Sequence, residues 1–311
     1  MRLFTFLLLL AAAACGADLR VGIVGTDTSH AREFTRILND LNAKDHVAGA
    51  RVVAAWEGGS PDIEESASRR DKIAAELRDQ WHVTFYPDIA TMCKNVDAVL
   101  LESLDGRVHL EQVRQIFAAH KPVFIDKPLS DSLAGAREIA RLGKENGVPW
   151  FSSSSLRYAN WVQDLRNPGN LGVMAWGPGP QNPLQNLDLS WYAIHPIEVL
   201  YTLMGPGCTE VTRTSTPEAD VIVGKWNNGR IGTVRAIRPY SGYGAVVFRS
   251  KQILQSPEKA EFSYKLLVER IVQFFQTGQP PVPNDVTLEM FEFMDAAQRS
   301  QKSGGQPVKL R

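Results

Sequence analysis

Lys127 ends the run Val123-Phe124-Ile125-Asp126 and is followed by Pro128. A short β-branched and aromatic run stopped by a breaker reads as a strand. Open α/β sheets bind their ligands at the carboxyl ends of such strands. A lysine presented there, on backbone stiffened by the next proline, can give a hydrogen bond or a proton to a substrate oxygen. The same Lys-Pro pair also describes an ordinary surface turn, and these residues alone leave both readings open.

A second stretch with chemical potential is Gly25-Thr26-Asp27-Thr28-Ser29-His30, which follows the apolar run Leu19 to Val24. Strand, tight turn and helix start together form the place where a dinucleotide pyrophosphate normally sits. The fingerprint G-x-G-x-x-G needs glycines at 25, 27 and 30, but Asp27 and His30 occupy the last two. Asp27 sets negative charge where a phosphate would lie, and a protonated His30 would offset it. The bland alternative is that Asp27, Thr28 and Ser29 cap the helix by accepting from its free N–H groups. Glu57, at the end of the run Arg51 to Trp56, stands where an acid would bond the ribose hydroxyls. It comes later than usual because the polar stretch 39–49 lengthens the loop.

These residues need a scaffold, and the spacing supplies one. Apolar strand-like runs at 19–24, 51–56, 82–86, 96–101, 123–126 and 150–155 alternate with helical patterns at 31–41, 62–81, 108–119 and 132–146. Alternation of this kind predicts a Rossmann-type, doubly wound parallel sheet over 18–155. Beyond 156 the texture changes. Residues 167–185 read as a long loop rich in Gly, Pro and Asn, and 191–201 as a helix. Short alternating runs at 210–214, 220–226, 230–237 and 243–248, with Asn227-Asn228-Gly229 as a hairpin turn, predict a mainly antiparallel sheet. Helices at 264–276 and 287–300 close an α+β domain over 156–311, the last packing back on the first domain.

Composition bounds the partners. The 311 residues carry 34 basic and 34 acidic side chains, so nothing points to a nucleic-acid groove or a polybasic membrane surface. Residues 1–17 read as a signal peptide: Met1-Arg2, the apolar Leu3 to Leu10, and small residues Ala11 to Ala14 before Cys15. That apolar stretch is too short for a membrane span. Ala12-Ala13-Ala14-Cys15 also resembles a lipoprotein signal, with Cys15 as the lipid anchor, so the expected location is the periplasm or cell envelope. Cys93 and Cys208 have no metal-ligand spacing and read as small buried apolar residues, so no metal is expected.

In order, these pieces resemble the glucose–fructose oxidoreductase and inositol dehydrogenase family (Gfo/Idh/MocA). The family's Glu-Lys-Pro motif corresponds to Asp126-Lys127-Pro128, preceded by Val96-Asp97-Ala98-Val99, His109 and Lys121-Pro122-Val123. Arg157 matches an arginine after the last Rossmann strand. His195, in Ile194-His195-Pro196-Ile197-Glu198 with Met204-Gly205 after it, matches the histidine of D-x-x-x-H. The resemblance implies NAD or NADP bound by Gly25, Thr26, Asp27, Thr28, His30, Glu57 and Asp126. It implies a sugar or polyol substrate near Arg157 and Trp191, with Lys127 holding the reacting hydroxyl and His195 as general base. A homo-oligomer through the second sheet is a further expectation. Without the resemblance, His195 would read as a buried helix histidine. Trp191 replaces the acid of D-x-x-x-H, and Asp188 lies seven residues before His195. With the missing glycines and the expected export, this keeps a second class alive, an exported carbohydrate-binding or interaction protein that keeps the fold without redox chemistry.

Overall fold

The computed structural model describes residues 17–311, so the expected leader and Cys15 lie outside the described residues. The first domain comprises β1 (Leu19–Val24), α1 (Ser29–Asn39), β2 (Ala50–Trp56), α2 (Glu64–Ala67), α3 (Arg70–Trp81) and β3 (Thr84–Phe85). It continues through α4 (Ile89–Cys93), β4 (Ala98–Leu101), α5 (Gly106–Ala118), β5 (Val123–Ile125), α6 (Leu133–Asn146) and β6 (Trp150–Phe151). All six strands are parallel, in the order β3-β2-β1-β4-β5-β6.

Side chains alternate across this sheet. Val21 and Ile23 pack with Phe34 and Ile37 of α1 and Leu77 of α3. Val24, Val99 and Leu101 meet Met92 of α4 and Ile116 of α5 on the other face. Burial on both faces explains why the strands read as nearly unbroken apolar runs. The winding reverses between β1 and β4, which opens a crevice at their carboxyl ends.

After a 3-10 turn at Ser155–Tyr158, the second domain adds α7 (Asn160–Leu165), β7 (Gly172–Pro178), α8 (Ile194–Met204), β8 (Cys208–Ser215) and β9 (Ala219–Trp226). It then adds β10 (Ile231–Ile237), β11 (Gly244–Arg249), β12 (Gln252–Gln255), α9 (Tyr264–Thr277), α10 (Asn284–Lys302) and β13 (Val308–Lys309). The sheet order is β12-β11-β7-β10-β9-β8-β13, antiparallel except for the β10–β7 pair. Val211, Ile222, Val234 and Val247 face inward onto Leu200 of α8 and Phe293 of α10. Leu267 and Ile271 of α9 share a core with Phe34 and Phe124, which fastens the second domain onto the first.

Three sequence expectations change. The presumed loop at 167–185 contains β7, a strand made stable by its neighbours β10 and β11 rather than by its own Gly- and Pro-rich composition. The helix expected over 62–81 divides into α2 and α3, and Ser66 of α2 is drawn toward Asp27 by a 2.6 Å hydrogen bond. The runs at 82–86 and 150–155 keep only two strand residues each, because β3 and β6 are edges with one neighbour.

Candidate active site

A cavity of about 210 Å³ opens where the first sheet's carboxyl edge meets the second domain. Lys127 reaches it from the end of β5 and His195 from the first turn of α8, so the fold brings together side chains remote in sequence. Thr28, His30, Asp126 and Trp191 also line it, as do Tyr192, Tyr240 and Tyr243.

The Asp126 carboxylate fixes the approach to Lys127. Its Oδ1 accepts the Lys127 backbone N–H at 2.8 Å, and its Oδ2 lies 2.6 Å from His30 Nδ1. Burial pushes the Asp126 carboxyl up, but the charge and hydrogen bond of His30, with Lys127, outweigh it and hold the group below its usual range. The Lys127 ammonium stands 5.7 Å from the centre of the Tyr192 ring.

His195 is 9% exposed, and its Nδ1 lies 2.8 Å from Ser154 Oγ. Ser154 Oγ also accepts the Leu156 N–H at 3.2 Å, which anchors the hydroxyl. Burial, then the nearby Lys127 and His30 charges, lower the His195 pKa well below the ordinary 6.5. The imidazole is therefore neutral near neutrality. Ser154 lies in the run 150–155 that the sequence reads as a strand, and it is free to meet His195 because the strand ends at Phe151.

Trp191 is 8% exposed and packs with Ile63 and Leu104, so an apolar wall stands at the position of the acid of D-x-x-x-H. Asp188 supplies no substitute. Its two oxygens are held by Arg213 Nη1 and Nη2 at 2.9 and 2.8 Å. Arg157 requires a correction as well. Its Nε is hydrogen-bonded to the Glu198 carboxylate, and it lines a separate cavity of about 880 Å³ rather than the one holding Lys127. The buried Glu198 attracts the guanidinium away from the expected substrate position.

The phosphate-binding expectation divides. Thr28 caps α1, its Oγ1 accepting the Ala31 N–H at 3.2 Å, and Thr28, Ser29 and His30 border the cavity. Gly25, Thr26 and Asp27 do not border it. Gly25 has φ +91, and a Cβ there would lie 2.4 Å from Ser103 Oγ, so the chain itself fills that space. Asp27 is fully buried and accepts from Ser66 Oγ at 2.6 Å and from Leu104 N–H at 3.2 Å. Its carboxylate thus holds the 58–70 segment down instead of facing a ligand, which corrects the reading of it as a charge beside phosphate. Glu57 lies outside the cavity, with Arg70 Nε at 3.5 Å and Arg78 Nη2 at 3.9 Å. The residues fit the nicotinamide end of a dinucleotide, while the pyrophosphate turn is covered by α2 and its flanks.

The parallel sheet, its switch-point crevice and the appended antiparallel domain define a two-domain architecture with a Rossmann-type first domain. Residues 19–153 match the model of the oxidoreductase family with an NAD-binding Rossmann fold, GFO_IDH_MocA. Over this stretch, less than half of the chain, the sequence is similar to that family. An inositol 2-dehydrogenase of Cereibacter sphaeroides is 33% identical over 126 residues, 39% of this chain and 31% of that protein. One of Paracoccus denitrificans is 33% identical over 129 residues, 42% of this chain and 34% of that protein. The matched stretch therefore spans about a third of these relatives. The fold extends further: myo-inositol dehydrogenase of Lactobacillus casei superposes with a TM-score of 0.74 over 94% of this chain and 97% of that one, at 20% identity. Myo-inositol 2-dehydrogenase of Lactobacillus plantarum gives 0.73, with 94% and 100% covered, at 17% identity.

Proposed function

We propose that the protein is an NAD- or NADP-dependent oxidoreductase acting on a CH–OH group of a polyol or sugar. One observation carries this reading: Lys127 and His195, from different domains, face the same aromatic-lined cavity. Its size suits a monosaccharide-sized molecule, and its tyrosines offer both ring faces and hydroxyls to a polyol. The curated relatives named inositol 2-dehydrogenase and the L. casei complex with NAD(H) and myo-inositol support the substrate class and the cofactor.

The chain's own residues then divide the work. Lys127 donates a hydrogen bond to the reacting oxygen and stabilises the negative charge that grows there. With His195 Nδ1–H directed at Ser154 Oγ, Nε2 is free to accept the hydroxyl proton, and the lowered pKa keeps it unprotonated. Thr28, Ser29, His30 and Asp126 border the place for the nicotinamide half, which when bound supplies the hydride acceptor. Trp191 and its neighbours exclude water from the reacting carbon.

The covered pyrophosphate turn favours a second reading, in which the protein binds carbohydrate without turnover. Purified protein incubated with polyols and sugars plus NAD⁺ or NADP⁺ separates the two. Reduced nicotinamide should accumulate with at least one polyol. Saturable carbohydrate binding without any reduction, across a broad panel, would favour the binding protein. We further propose export through the N-terminal leader. We also propose self-association through the outer face of the second sheet, where Met174, Ile231 and Ile253 are 47%, 52% and 68% exposed. Sedimentation at increasing concentration tests the latter, and an invariant monomer would oppose it.

A further inference from the structure

Three side chains from adjacent strand ends converge beside Lys127: His30 after β1, Glu102 after β4 and Asp126 after β5. One ligand atom from each, an imidazole nitrogen or a carboxylate oxygen, lies within 4.8 Å of the other two. Asp126 has partners for both oxygens, but Glu102 has none. Glu102 is fully buried, and neither of its carboxyl oxygens receives a hydrogen bond. A buried carboxyl group without a partner is costly, and a second carboxylate alongside makes its ionisation costlier still. Lys127 does not relieve it: its ammonium lies over Tyr192 and forms no ion pair with Glu102 or Asp126 among the described residues.

We propose that His30, Glu102 and Asp126 form a binding site for one divalent first-row cation, such as Mn²⁺ or Zn²⁺. The donors, one imidazole and two carboxylates, are of the kind these ions prefer, while Mg²⁺ favours sites of oxygen and retained water. The geometry requires only small movement. Donors on one such ion stand roughly 2.0–2.2 Å from it, hence about 3 Å or more from each other. The 2.6 Å His30–Asp126 pair must therefore open by a few tenths of an ångström, and Glu102 must close in. The ion takes the place of the proton between His30 Nδ1 and Asp126 Oδ2 and of any proton on Glu102, so binding releases protons to the buffer. Once bound, it ties three strand ends together next to Lys127 and neutralises the paired carboxylates. The site shares His30 and Asp126 with the border of the proposed nicotinamide place, but its test needs neither nucleotide nor polyol.

The test is calorimetry on chelator-stripped protein titrated with MnCl₂ and, separately, ZnCl₂, with no nucleotide or sugar present. Each titration is repeated in buffers of different ionisation enthalpy. One equivalent should bind, with an apparent enthalpy that changes with buffer because protons leave. Glu102→Gln keeps the shape and removes the charge, and it should weaken binding by about a hundredfold or more. It should also abolish the rise in melting temperature that the metal gives the unaltered protein. His30→Gln, at a partly exposed position, serves the same purpose if the first variant fails to fold. Absence of saturable binding, or binding unchanged in a folded variant, would overturn the proposal.

Discussion

The two ends of the interdomain cleft are built from the same material, strand ends and helix starts, yet one is open and the other is closed. At the β5–α8 end, Lys127 and His195 face a cavity. At the β1–α1 end, Asp27 reaches across to Ser66, and Thr26 Oγ1 lies 3.3 Å from the Arg70 carbonyl, so the segment between β2 and α3 lies over the turn. That segment serves both ends, because its Glu65 and Arg69 also wall the open cavity. The closed and the open end are therefore joined through one short piece of chain.

The largest expected effect sharpens the contrast at the open end. His195→Ala removes the base and should cost at least about a hundredfold in kcat. Lys127→Ala should lower kcat and kcat/KM together, because its bond strengthens as charge develops. The pH profile gives a further check. A base acts unprotonated, and the His195 pKa lies well below 6.5, so activity should persist below pH 6.5 and fall only at more acidic values. The same shift has a sign for stability. The unfolded chain takes up the proton first, so the neutral histidine's contribution is complete above 6.5 and is lost as pH falls through the folded value. An acid limb centred at or above 6.5 would contradict the burial of this group.

An intermediate effect probes the closed end. Ser66→Ala removes the hydrogen bond to Asp27 and loosens the covering segment, so NADH should bind up to about tenfold more tightly. Fluorescence titration measures this, and weaker binding would mean that the segment holds the nucleotide rather than blocks it. The smallest effect concerns Ser154. Ser154→Ala leaves His195 in place but unfixes its ring, and should cost several-fold in kcat with little change in KM. A loss confined to KM would assign Ser154 to substrate binding instead.

Much of this arrangement was legible in the residues. The parallel sheet followed from apolar runs alternating with helical ones, Lys127 stood out by its setting at a strand end, and His195 stood out only through its match to the D-x-x-x-H motif. Thr28 was readable as a cap because the relevant donor is only three residues away. What stayed hidden depends on partners distant in sequence. Asp27 looked like a charge facing phosphate because Ser66 and Leu104 could not be placed beside it. Arg157 looked free because nothing local shows that Glu198 takes it. Strand β7 was hidden in a Gly- and Pro-rich stretch that pairs only once β10 and β11 are folded. Glu102 gave no signal at all, since its isolation arises only when three strand ends meet.

The central claim is that Lys127 and His195 act on one substrate carbon. Its most direct measurement is single-turnover nicotinamide reduction with a polyol that carries deuterium at the reacting carbon. The unaltered protein should show slowed reduction with the deuterated polyol. His195→Ala and Lys127→Ala should each lower the rate strongly while an isotope effect remains. Reduction at an unchanged rate in both variants would contradict the account.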